Sequence, residues 1–197
     1  MPSGEQFSPQ PSRRHAPKHF RHGSIEVVFS WSGDRWVHRV VVERPEGPAS
    51  GWESVDGPVS PHLDPHWPAS PPLVELMESM AQGRPVLLGV GLAGRSHFSA
   101  SLAPHPLLSE TLLVEIACRI HAGPGWLGST YRPLEEGSPQ PAVLQLSASP
   151  IGGEPHSSGG TGAFSPRTVR WSYTISPQGI ALVGPSAASA EPPENPR

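Results

Sequence analysis

The sequence predicts an all-β protein: an antiparallel two-sheet sandwich, or alternatively a partly open barrel, with one short helix and disordered termini. Three observations lead there. Apolar and polar residues alternate over several short stretches, which is the period of a half-buried strand. Turn residues join consecutive stretches at hairpin spacing. Only one segment shows a helical period.

Residues 1–22 read as a disordered basic tail of Pro, Ser, His and Arg with few apolar groups. From Ser24 the stretch SIEVVFSWSGDRWVHRVVVE reads as a β-hairpin. Ile25, Val27, Phe29 and Trp31 share one face, Trp36, His38, Val40 and Val42 share another, and Ser-Gly-Asp turns between them. WESVDG is a short third strand at best. Residues 57–72 hold six prolines and exclude a central strand. SPPLVELMESMAQG reads as the short helix: Ser70 caps it, Leu73, Leu76, Met77 and Met80 recur at helical spacing, and Gly83 ends it. LVEL also fits an extended chain.

The stretch VLLGVGLAGRSHFSASL, residues 86–102, reads as a second hairpin turning at Ala93-Gly94. TLLVEIACRI, 111–120, is a nearly apolar central strand. GSTYR, 128–132, and AVLQLSAS, 142–149, are short strands. Residues 150–166 form a flexible Gly/Ser loop, RTVRWSYTISPQGIALV closes the fold with a hairpin turning at residues 176–179, and 184–197 form a disordered tail. The expected organisation is one antiparallel domain over 23–183.

The totals bound the function. With 197 residues, the chain fits one domain of ordinary size with tails. Its 21 glycines and 27 prolines approach the low-complexity range, but they gather at the ends and in one loop. A net charge of −3 gives no global field for nucleic acid. Lys18 is the one lysine among 14 basic residues; GC-rich coding explains such an arginine excess, and phosphate or carboxylate recognition would exploit it. The single cysteine, Cys118, rules out an intrachain disulfide and fits a reducing compartment. The first twenty residues hold no apolar run of signal-peptide type, and no window approaches the ~18 apolar residues of a spanning helix. The expectation is a soluble, cytoplasmic protein with no membrane partner and no nucleic-acid partner.

Two motifs invite an enzymatic reading and fail on context. Gly89, Gly91 and Gly94 spell the G-x-G-x-x-G dinucleotide fingerprint, but that site needs a helix after the glycines to receive the pyrophosphate. Here Ser96, Phe98, Ala100 and Leu102 alternate as in a strand, and Pro104 and Pro106 follow. Gly94-Arg95-Ser96-His97-Phe98 approaches the nucleophile elbow, but Phe98 replaces its last glycine and the helix is again missing.

Three constellations carry chemistry. His62, Asp64 and His66 in HLDPH point the same way in an extended chain and form a ligand set for a divalent metal such as zinc. Arg95 and His97 share a face of the hairpin strand; with Arg119, and with His38 and Arg35 or Arg39 from the first hairpin, they form a small patch suited to an anion. Cys118 could meet His97 or His121, although a cysteine within an apolar strand is ordinarily an inert hydrophobe. Of the six tryptophans, Trp67 and Trp126 lie in loop-like sequence and are the candidates for exposed sugar-stacking rings.

Five motifs together resemble a family of uncharacterised bacterial all-β proteins: GDRWVHRV, HWPASPPL, GLAGRSHFSASL, IACRI and LGSTY. The resemblance covers residues 25–132. It implies an all-β scaffold in which the opening glycines are structural. No activity is assigned to that family, so no catalytic role carries over. The expected function is a non-enzymatic β-sandwich module binding a small anion, a sugar or a protein partner at Arg95, His97, Arg119 and His38. No cofactor is expected. The alternative is a metal-dependent hydrolase using His62, Asp64 and His66.

Overall fold

The computed structural model describes residues 15–44, 49–56, 68–121, 127–135, 144–147 and 166–183. They form twelve strands: β1 (Lys18–His22), β2 (Ile25–Trp31), β3 (Trp36–Val42), β4 (Ser50–Ser54), β5 (Leu73–Ala81), β6 (Arg84–Ala93), β7 (Ser96–Pro104), β8 (Leu112–Ile120), β9 (Gly128–Pro133), β10 (Leu144–Ser147), β11 (Arg167–Ser176) and β12 (Gly179–Leu182). Every pairing is antiparallel.

The strands build one sheet, curled into a nearly closed barrel-like shell; of the two architectures the sequence offers, this is nearer to the partly open barrel than to the two-sheet sandwich. The physical reason is strand β3. It bonds β2 on one side, and on the other it bonds β4 along its C-terminal half and β5 at Trp36↔Leu73. The main path runs β10-β9-β4-β3-β5-β6-β7-β8-β11-β12, with β2 and β1 branching from β3. Both halves therefore share a strand.

Period-two alternation sets inside and outside. Val27, Val40, Leu87, Phe98, Val114, Ile116, Trp171 and Ile175 belong to one buried core cluster. At 25 cal/mol per Å² of apolar surface, such burial is the main driving force. β8 is central, bonded to β7 and β11, and its even-numbered residues from Leu112 to Ile120 are buried.

The helix expected over residues 70–83 is instead strand β5. Its helical stripe is real in sequence, but Met77 and Met80 are 60% and 64% exposed, so no helical face is buried. β5 pairs β6 residue by residue from Glu75↔Val90 to Ala81↔Arg84. Gln82 and Gly83 both have positive φ, 51° and 75°, as a tight type I′ hairpin turn demands. The glycine that resembled a helix stop makes this turn; a left-handed residue serves either purpose.

Strand β1 occupies Lys18–His22, the end of the segment read as a basic tail. It pairs all five residues with β2 and buries one side chain, Phe20. One apolar residue in five left no pattern to detect. The turn after β6 falls at Gly94-Arg95, one residue later than expected, with Ala93 opposite Ser96 and Gly94 at φ 55°. The third hairpin, β11–β12, turns between Ser176 and Gly179 as expected.

The glycines of the would-be fingerprint have separate structural causes. A Cβ on Gly91 would sit 1.8 Å from the Pro72 carbonyl oxygen, and one on Gly89 would sit 2.9 Å from Leu73 Cδ1. Gly94 turns the chain, with open space around it. Gly91→Ala is therefore expected to cost more than about 3 kcal/mol, because backbone rather than a movable side chain blocks the new methyl. Gly94→Ala is expected to cost only about 1–2 kcal/mol, the strain of a left-handed alanine. Urea denaturation of the two variants checks the ranking.

Candidate functional site

The shell has two chemically distinct faces. Inside, a polar chain crosses the core. β3 turns His38 inward, β9 contributes Tyr131 and Ser129, and β11 contributes Trp171 and Tyr173. His38 Nε2 lies 2.8 Å from the Tyr131 hydroxyl, and that hydroxyl lies 2.7 Å from the Tyr173 hydroxyl. Trp171 Nε1–H donates to Ser129 Oγ at 3.2 Å, and Ser129 also bonds Tyr173. Tyr131 is fully buried and Tyr173 nearly so. Half-buried His38 lines a cavity of about 40 Å³ together with Phe29, Leu76, Leu102 and Ile116.

Burial dominates the acid–base behaviour of this chain. It pulls the His38 imidazole down to about 4. Burial, then the charge and hydrogen bond of Tyr173, hold the Tyr131 phenol well above its ordinary value. Burial also raises Tyr173, against hydrogen bonds from Tyr131 and Ser129 that lower it. All three groups are neutral at pH 7. The chain acts as a hydrogen-bonded tie between the two halves of the shell.

His38 therefore does not join the patch that the sequence placed it in. It faces the core, whereas His97 and Arg119 face outward. Strand parity is the reason: His38 shares its face with Val40 and Val42, both buried.

Outside, the predicted residues do converge. His97 on β7 and Arg119 on β8 are direct cross-strand partners. Arg95 occupies the turn between β6 and β7. His121, just past β8, has its ring 5.7 Å from that of His97, and its backbone N–H donates to Ser96 Oγ at 3.3 Å. Desolvation, then the positive charges of Arg119, His97 and Arg95, hold the His121 imidazole below its ordinary value. Burial is the larger cause, and the neighbouring positive charges act in the same direction.

Register extends this cluster into a groove of about 590 Å³. One cross-strand row runs Thr168, Arg119, His97, Leu92; the next runs Arg170, Ala117, Ser99, Val90, Glu75. Ala117 and Ser99 form a low floor between longer neighbours, so the surface is concave there. Arg21, Arg35 and Arg132 each meet a carboxylate. Among the described residues, Arg95, Arg119 and Arg170 have no carboxylate in salt-bridge reach, and neither do Arg39, Arg44, Arg84 and Arg167; Arg119 and Arg170 stand out because they line one groove. Arg170 and Thr168 escaped the sequence reading because they arrive on β11, whose place beside β8 no local pattern encodes. The one available signal was the outward position of Arg170 next to inward Trp171.

His62, Asp64 and His66 lie outside the described residues, as do Trp67 and Trp126 and most of the expected Gly/Ser loop. Among the described residues, no group of three or more His, Cys, Asp or Glu could hold a metal, and no helix is long and apolar enough to cross a membrane. Cys118 is fully buried, and burial pushes its thiol up to about 11. No family model, curated protein or solved structure matches the chain.

Two outcomes follow from burial. His38 has a folded pKa of about 4 against an ordinary 6.5, so protonation favours the unfolded chain. Its contribution is intact above pH 6.5 and is lost as pH falls toward 4, by at most about 3 kcal/mol. Urea melts at pH 7, 5.5 and 4 are expected to show a shallower acid loss in His38→Gln than in the native protein. Cys118 is expected to resist a thiol reagent such as DTNB in the native state and to react fully in urea; rapid native labelling would contradict the buried placement.

Proposed function

We propose that this protein is a non-catalytic binding module whose outer groove takes an anionic ligand. The observation that carries the reading is the pair of arginines, Arg119 and Arg170, that line one groove beside the Ala117–Ser99 floor, with His97 the cross-strand partner of Arg119. Arginine presents a planar fork of donors that matches a carboxylate or phosphate through two parallel hydrogen bonds. Arg21, Arg35 and Arg132 meet carboxylates of the chain itself; Arg119 and Arg170 do not, and both line one groove. The inward groups do not favour a reaction. His38, Tyr131 and Tyr173 are neutral and tied to each other, and Cys118 is held as a thiol.

The test is thermal unfolding and calorimetric titration of the full chain with phosphate, pyrophosphate and citrate at low ionic strength, where screening is weak. Stabilisation by at least one of them is expected. Arg119→Ala and Arg170→Ala are each expected to weaken binding by about tenfold. NMR titration of His121 is expected to show its pKa rising on anion binding, because the added negative charge favours the imidazolium. No stabilisation by any of the three, or binding that persists unchanged in both arginine variants, overturns the reading.

A further inference from the structure

We propose that the natural occupant of the groove is a single-chain amphiphile with a carboxylate head and a long acyl tail, lying across the strands. The inference rests on the anion-binding reading above and adds the tail. The groove is chemically split along its length. At the β8–β11 end are Arg119, Arg170 and Thr168. At the β5–β6 end are Val74, Val90 and Leu92, which are 38%, 48% and 52% exposed. Large apolar side chains left exposed side by side mark an interaction surface. Here they adjoin the arginines across the small floor of Ala117 and Ser99. From β11 to β5 the path crosses four strand spacings, or about 19 Å. A compact anion would fill only the basic end of that length.

The polarity fixes the orientation. The carboxylate pairs with the guanidinium groups of Arg119 and Arg170, and Thr168 adds a hydroxyl. The tail passes over Ser99 and Ala117 and covers Val90 and Leu92. Glu75 is the one carboxylate lining the groove. It lies next to Val90, at the opposite end of its row from Arg170, so it repels a head bound backwards. A bilayer is the less fitting occupant, because the floor is recessed and a flat surface could not reach it.

The full chain is titrated calorimetrically with dodecanoate below its aggregation threshold, with dodecanol and with acetate. Dodecanoate is expected to bind at least about tenfold more tightly than either. The Arg119→Ala/Arg170→Ala double variant is expected to bind dodecanoate no better than dodecanol. Val90→Ser and Leu92→Ser alter exposed side chains, and circular dichroism checks that they fold. They are expected to weaken dodecanoate and leave phosphate binding unchanged. If phosphate or citrate binds at the arginines and dodecanoate gains nothing over acetate, the anion reading stands and this inference falls. If dodecanol matches dodecanoate and none of phosphate, pyrophosphate and citrate binds, both fall. Binding to phosphatidylserine–phosphatidylcholine vesicles without binding of monomeric dodecanoate overturns the single-chain ligand in favour of a bilayer.

Discussion

The closure of the shell depends on one close approach, that of the Pro72 carbonyl to Gly91. Leu73 pairs with Trp36 of β3 and with Gly91 of β6, so at this residue the sheet changes direction and the two halves become one. The register of β5 slips between Leu73 and Glu75, an irregularity that increases local twist and bends the strand. The bend brings backbone against backbone, and a residue without a Cβ is the one that fits. Val74, pushed out of the ladder at the same place, becomes the apolar end of the outer groove. A single packing constraint thus shapes the barrel and one wall of its candidate site.

Strand parity then divides the polar residues between two roles. On β7, β8 and β11, a shift of one residue would carry every side chain to the opposite face. The alternation sends Cys118, Trp171 and Tyr173 inward and Arg119, Arg170 and Thr168 outward from the same strands. Inward polar groups must find partners or pay for desolvation. His38, Tyr131, Tyr173, Ser129 and Trp171 satisfy one another in a chain that crosses the core. Outward groups face no such demand, and the groove arginines remain free to meet a ligand.

The strands with clean alternation were legible in the sequence: β2, β3, β7, β11 and β12 could be read from periodicity and turn residues alone. So could the structural role of the Gly89-Gly91-Gly94 pattern, because strand alternation and prolines follow it. β5 was misread because its apolar spacing fits a helix and Gly83 fits a helix stop; only the pairing with β6, a tertiary fact, selects the strand. β1 was missed because its single anchor, Phe20, sits among charged neighbours. Of the outer site, Arg95, His97 and Arg119 were readable, since two of them share a hairpin and the third lies on the next strand. Arg170 and Thr168 were not, because the adjacency of β8 and β11 joins segments about fifty residues apart. The inward placement of His38 is legible in its shared face with Val40 and Val42, both buried.

Composition alone accounts for how many arginines the chain carries, but not for where they sit or what they meet. Arg21 meets Glu26 and Glu43, Arg35 meets Asp34 and Asp56, and Arg132 meets Glu53. Arg119 and Arg95 add to the burial that lowers the neighbouring His121, and Arg119 shares its groove with Arg170. Like charges held together on a rigid sheet repel at a cost in stability. In the proposed binding mode, an anion at the floor between Arg119 and Arg170 would offset that repulsion.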